Sequence, residues 1–136
     1  MSYGSGAALQ AAVFQRLRAD AALAALVGEA VHDAMPPREA AGTYVALGPE
    51  EVRDASDATG GGAEHRFVIS VVSDGAGFLV AKEVAAAVTD ALTGADLTLD
   101  RGRLVGLWFQ RAVARRVADG RRVDLTFRAR TEDPEN

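Results

Sequence analysis

The sequence predicts an α+β domain: an antiparallel β-sheet with two main α-helices packed on one face and a long C-terminal β-hairpin. Three observations lead there. Apolar residues recur at helical spacing in two segments, 7–27 and 78–92. Runs rich in β-branched and aromatic residues at 43–47, 65–72, 104–117 and 123–130 read as strands bounded by turn residues. The resulting order of helix, strand, strand, helix, strands implies an antiparallel sheet with both helices on one side. A chain of 136 residues fits one domain, 1–136, able to bury roughly two thirds of the surface its unfolded form exposes.

In the first helical segment Leu9, Val13 and Leu17 are four apart, leaving Gln10, Arg16 and Arg18 for solvent. Asp20 can cap a second short helix containing Leu23, Leu26 and Val27, with a kink at Ala19 and Asp20 and a stop at Gly28. Met35, Pro36 and Pro37 make 34–42 a loop, because proline fixes the backbone and removes a donor. Thr43 to Leu47 is the first strand, closed by Gly48 and Pro49. The stretch 50–64, EEVRDASDATGGGAE, has little apolar area to offset the entropy of ordering and is expected to be a mobile loop. His65 to Val72 returns to a strand with Phe67, Ile69 and Val71 on one face.

Phe78 to Leu92 forms the second long helix, with Val80, Val84, Ala87, Val88 and Ala91 on one stripe and Gly94 as its end. Leu97 to Leu99 is a candidate short strand. Leu104–Val117 and Val123–Arg130 then pair through Ala118, Asp119 and Gly120. A three-residue turn there pairs Phe109 with Ala129 and Val113 with Leu125, gathering Leu107, Phe109, Val113, Val123, Leu125 and Phe127 on one apolar face. A two-residue turn would set Arg115 opposite Asp124 but Arg111 opposite Arg128. The tail, 131–136, is expected to fray.

Charge is segregated along the chain. Residues 1–100 carry six basic and fourteen acidic side chains, whereas 101–136 carry nine arginines and five acids. Two surfaces of opposite sign suit head-to-tail binding between copies, because complementary potentials steer and orient the encounter. The arginine cluster reads in three ways: a solvated strand face, a subunit contact against the acidic part of a neighbour, or a surface that meets DNA phosphates.

Signatures of chemistry are absent. With no cysteine there is no disulfide or thiolate metal site. His32 and His65 have neither metal-ligand nor nucleophile-base spacing. Asp54, Asp57 and Glu64 match no calcium-loop pattern. Gly60, Gly61 and Gly62 lack the Lys-Ser/Thr that completes a phosphate cradle. No apolar run approaches the ~20 residues of a membrane span, and no signal peptide is recognised at the start. The expectation is a protein that is not an enzyme, with no cofactor and no membrane partner.

Four stretches carry a resemblance: ALQAAVFQRLRADAALAALVG (7 to 28), VHDAMPP followed by TYVALGPE (31 to 50), EHRFVISVVSDGAGFLVAKEVAAAV (64 to 88) and GRLVGLWFQRAVARRVADGRRVDLTFRAR (102 to 130). In order, spacing and texture the chain resembles the small phage tail-completion or tail-terminator proteins, in particular those of gene transfer agents and related prophages. The glycine-rich loop at 60–62 and the short turn at 118–120 depart from that pattern. The resemblance implies a structural subunit of a phage-like particle, made in the bacterial cytoplasm. It implies a ring, usually a hexamer, at the head-proximal end of the tail, with the tail tube protein and the head connector or stopper as partners and DNA passing through the lumen. A head-completion or connector ring protein is the nearest alternative, and a soluble dimeric adapter domain the alternative from another class. Candidate contact residues are Arg53, Asp54, Asp57 and Glu64 on the loop, and Arg111, Arg115, Arg116 and Arg128 on the basic face.

Overall fold

The computed structural model describes residues 3–36, 41–57, 60–118 and 120–133. Helix α1 spans Gly6–Ala19 and α2 spans Ala21–Val27. The Asp20 carboxylate accepts a hydrogen bond from the Leu23 amide at 2.9 Å, capping α2, and Gly28 ends it at φ 62°. The kink is therefore a cap between two helices. A two-residue strand β1, Val31–His32, leads to β2, Thr43–Asp54, and β3, Gly62–Ser73. Helix α3, Leu79–Leu92, then precedes β4, Arg103–Val117, and β5, Gly120–Glu132. The expected strand at Leu97–Leu99 is irregular chain that buries Leu99.

The sheet order is β1-β2-β3-β5-β4, antiparallel throughout except that β1 runs parallel to β2. The three helices of the described residues pack on one face, and one core joins Leu9, Val13, Leu17, Leu23, Val84 and Val88 to Val45, Ile69, Val71, Leu107, Leu125 and Phe127. The α+β expectation and the one-sided placement of the helices hold. Within α3, Val80 is 48% exposed and Ala81 and Ala85 take its place in the core.

The segment 50–64 differs from the mobile loop expected of its composition. β2 and β3 pair from Glu50 opposite Phe67 through Asp54 opposite Ala63. The β2 side chains from Glu50 to Asp54 are exposed or half-buried, so backbone hydrogen bonds to β3, whose Ala63, His65 and Phe67 are buried, hold this extension. Its tip is fastened too: the Ala55 amide donates to the Gly62 carbonyl at 2.9 Å and Arg130 donates to the Ala55 carbonyl at 2.9 Å. At the C-terminal end β5 reaches Glu132, so the fraying expected from residue 131 does not begin there; residues 134–136, like Asp119 and part of the 34–42 loop, lie outside the described residues.

The C-terminal hairpin has neither expected register. Val117 pairs with Gly120, Arg115 with Arg122, and Val113 with Asp124. Register shifts between Phe109 and Arg111 and between Leu104 and Gly106 let the 15 residues of β4 match the 13 of β5. Each shift reverses which residues of β4 point inward. Leu107 and Phe109 face the helices beside Ala129 and Phe127, but beyond the first shift Ala112 and Ala114 do so, and Val113 turns outward, 37% exposed. Gly120 closes the turn against β3: a Cβ there would lie 2.0 Å from the Ser73 carbonyl oxygen.

Candidate assembly surface

With the helices of the described residues all on one side, the other face of the sheet is uncovered by them, and alternation along the strands decides what it presents. On β5, Arg122, Asp124, Thr126, Arg128, Arg130 and Glu132 all point away from the helices, because Val123, Leu125, Phe127 and Ala129 between them are buried. The register brings Arg66 beside Arg128, Glu64 beside Arg130 and Arg53 beside Glu64. It sets Trp108 against Arg128, Arg111 against Thr126, Arg115 against Arg122 and Arg103 against Glu132. Among the described residues, eight arginines and four carboxylates (Glu51, Glu64, Asp124, Glu132) thus share this face.

Two clusters order it. The Asp124 carboxylate accepts from the Ser70 hydroxyl at 2.6 Å, Arg122 Nε at 2.8 Å and Arg115 Nη2 at 3.4 Å. Burial alone would raise its pKa, but these donors and the two guanidinium charges outweigh it and hold the carboxyl below the usual aspartate range. In the second cluster the Arg128 guanidinium stacks over the Trp108 ring, 4.4 Å from its centroid, and lies 3.8 Å from Glu64, which is also 3.8 Å from Arg66. Arg111 sits between the clusters and, among the described residues, forms no ion pair. It borders a shallow saddle with Pro49, Glu51, Arg66 and Gln110.

Of the eight sequence candidates, Arg53, Glu64, Arg111, Arg115 and Arg128 share the open face. Arg53 is 3.7 Å from Glu51. Arg116 does not join them: it pairs with Arg121 on the helix side. Asp54 and Asp57 stay at the β2–β3 tip, where Asp54 accepts from the Ser56 amide and hydroxyl, which lower its pKa, and the Asp57 amide donates to the Gly60 carbonyl. Trp108, Arg66, Asp124 and Ser70 were missed as members of this surface. The alternate spacing of Arg122, Asp124, Thr126, Arg128 and Arg130 was a legible signal for β5, but their partners on β3 and β4 depend on register.

No group of three or more histidines and carboxylates suited to a metal occurs among the described residues. His65 is fully buried between the sheet and the N-terminal segment, with Nε2 3.0 Å from the Thr131 hydroxyl and Nδ1 3.6 Å from Glu50. Burial pushes its pKa down despite the opposing Glu50 charge. Glu50 also accepts from the Tyr3 hydroxyl, which ties the chain start to β2. His65 itself lines none of the depressions described in this structure, so the cluster acts as an internal polar fastening, with only Glu50 reaching the small hollow beside Leu9, Val13 and Phe67. No helix of the described residues is long and apolar enough to cross a membrane.

Comparison with known proteins matches this architecture to an assembly component. No curated protein matches the chain. A solved structure, "Virion of native gene transfer agent (GTA) particle", contains a chain that is 70% identical, superimposes with a TM-score of 0.89, and is matched over 96% of this chain and 99% of its own length. Residues 11–132 match the family described as tail completion protein gp17. That match runs from within α1 to the end of β5 and takes in the whole sheet, and the chain belongs to the tail completion protein gp17 family.

Proposed function

We propose that this protein is the tail terminator of a phage-like particle of the gene transfer agent type. Its copies form a ring, most simply a hexamer, that caps the head-proximal end of the tail tube and joins it to the head connector. The observation that carries the reading is the 70% identity, over nearly the full length of both chains, to a component of a native gene transfer agent virion. The fold is compatible. Among the described residues, one sheet face is a lattice of exposed and half-exposed charges with no helix over it, and no group of side chains suited to a metal ion occurs. The protein works through contacts with its own copies, the tail tube protein and the connector, with no bond made or broken. Gly62 and Gly120 allow tight backbone approaches that suit a rigid building block.

The test is to delete the gene in a particle-producing strain and image what accumulates. Terminator function requires capsids and tails that fail to join, with tails of irregular length, restored by supplying the gene. Particles of normal shape and tail length in its absence would refute the proposal. Imaging of intact particles should also place this chain's density between capsid and tail tube.

A further inference from the structure

We propose that copies of this chain join head to tail through two small-residue apolar surfaces at opposite edges of the sheet, the groove between α3 and β4 of one copy receiving the α2–β1 edge of the next. This deepens the ring reading and rests on it. The first surface exists because the helical layer stops short of β4. Between them lies an open groove lined by Lys82, Ala86 and Thr89 of α3 and by Phe109, Ala112 and Ala114 of β4, with a volume of about 400 Å³. Phe109 is 41% exposed there, and Leu79, one turn before Lys82 on the same helical stripe, is 71% exposed. β4 is also an edge strand of 15 residues whose outer backbone groups have no strand partner among the described residues; of these groups, the Leu107 carbonyl accepts from the Gly94 amide at 3.2 Å. Proteins ordinarily cover or blunt such an edge.

The second surface lies across the sheet, about 19 Å away at ~4.8 Å per strand spacing. Helix α2, AALAALV, has no polar side chain, yet only Leu23 is buried. Ala21, Ala22, Ala24, Ala25 and Leu26 face outward, Leu26 at 43%. A helix with an apolar outer face is stable against another surface, not against water. Charge then selects the partner for each surface. Lys82 and Arg116 stand at the groove on the helix side, with Arg111 and the Asp124-paired Arg115 beyond β4. Exposed Glu29 and Asp33 flank the α2–β1 edge, where Arg18, 3.9 Å from Glu29 and bonded to the Val31 carbonyl, offsets one of the two carboxylates and leaves the edge net acidic. Like charges oppose groove-to-groove and edge-to-edge pairing; groove-to-edge pairing joins opposite signs. Such a contact uses two different patches, so repetition closes a ring or extends a filament, as one self-complementary patch cannot.

The chain has no cysteine, so introduced thiols report cleanly. Particles are prepared from cells in which Ala25→Cys, Ala112→Cys or both replace the native chain, then treated with a short bismaleimide. The double variant should give a ladder of dimer, trimer and higher species on a denaturing gel, while each single variant stays monomeric. A double variant present at normal amount but uncross-linked, or dimers from Ala112→Cys alone, would overturn the interface. An image of the particle separates the two readings: a ring without cross-links sinks only this contact, whereas absence of a ring sinks the proposed function. Should the cysteine variants not enter particles, charge exchange decides. Lys82→Glu with Arg116→Glu should lower particle yield about tenfold or more, and Glu29→Lys with Asp33→Lys should restore it. Lost yield that the second pair leaves unrestored, or unchanged yield from the first, rejects the proposal.

Discussion

Removing the Asp124 carboxylate tests how the open face is held. Three donors converge on it from three strands: Ser70 on β3, Arg122 on β5 and Arg115 across the hairpin. Hydrogen bonds to a charged group are worth about 1.5–3 kcal/mol when buried. The Asp124 side chain is 22% exposed and the Arg115 contact is long, so screening reduces the total for Asp124→Ala to about 2–3 kcal/mol. For 136 residues that corresponds to a fall of about 7–10 °C in Tm. Thermal unfolding followed by circular dichroism, repeated from pH 7 to pH 2, measures the gap between wild type and variant. Because the folded-state pKa is depressed, the stabilisation is complete above the unfolded value of about 3.9 and is lost as pH falls through the folded one. The gap should therefore stay constant down to about pH 4 and then narrow. A gap below about 0.5 kcal/mol at pH 7, or one that does not change with acid, would refute the assignment of Asp124 as the charged anchor of Arg115 and Arg122.

Three other outcomes follow from the core. Phe127 is fully buried, stacked on Phe67 and edge-on to Phe109, so Phe127→Ala should cost about 3–5 kcal/mol in urea unfolding; a loss under 1.5 kcal/mol would mean this layer is loosely packed. His65 is held neutral by burial, so wild-type stability should be complete above about pH 6.5 and fall as pH drops through the folded pKa, whereas His65→Gln, which can still bond Thr131, should give a flatter profile over that range. Equal slopes for the two proteins would refute it. Gly120→Ala would drive a Cβ into the Ser73 carbonyl and should destabilise by about 2 kcal/mol or more, with exchange of the amides of β3 and β5 near the turn accelerated; unchanged exchange would show that the turn can shift at little cost.

Much of this protein is local in origin and was legible from the residues alone. Leu9, Val13 and Leu17 mark the buried stripe of α1, Asp20 and Gly28 delimit α2, and Gly94 follows α3 at φ 69°, because periodicity, capping and positive φ act within a few residues. The uneven distribution of arginine is likewise a property of the chain. Pairing is not local, and there the sequence alone misleads. Residues 50–57 look like loop by composition, yet strand β3 offers them a ladder and Arg130 fastens their end. The turn residues around Gly120 allow several registers, and only the packing of Leu107, Leu125 and Phe127 under the helices selects one, with two shifts in β4 as the result. Those shifts turn Val113 outward beside Arg111 and Arg115 and leave Arg116 on the helix side. The makeup of both candidate contact surfaces is therefore a tertiary outcome: a strand's two faces differ by one residue of register, and that residue is set by contacts far away in the chain.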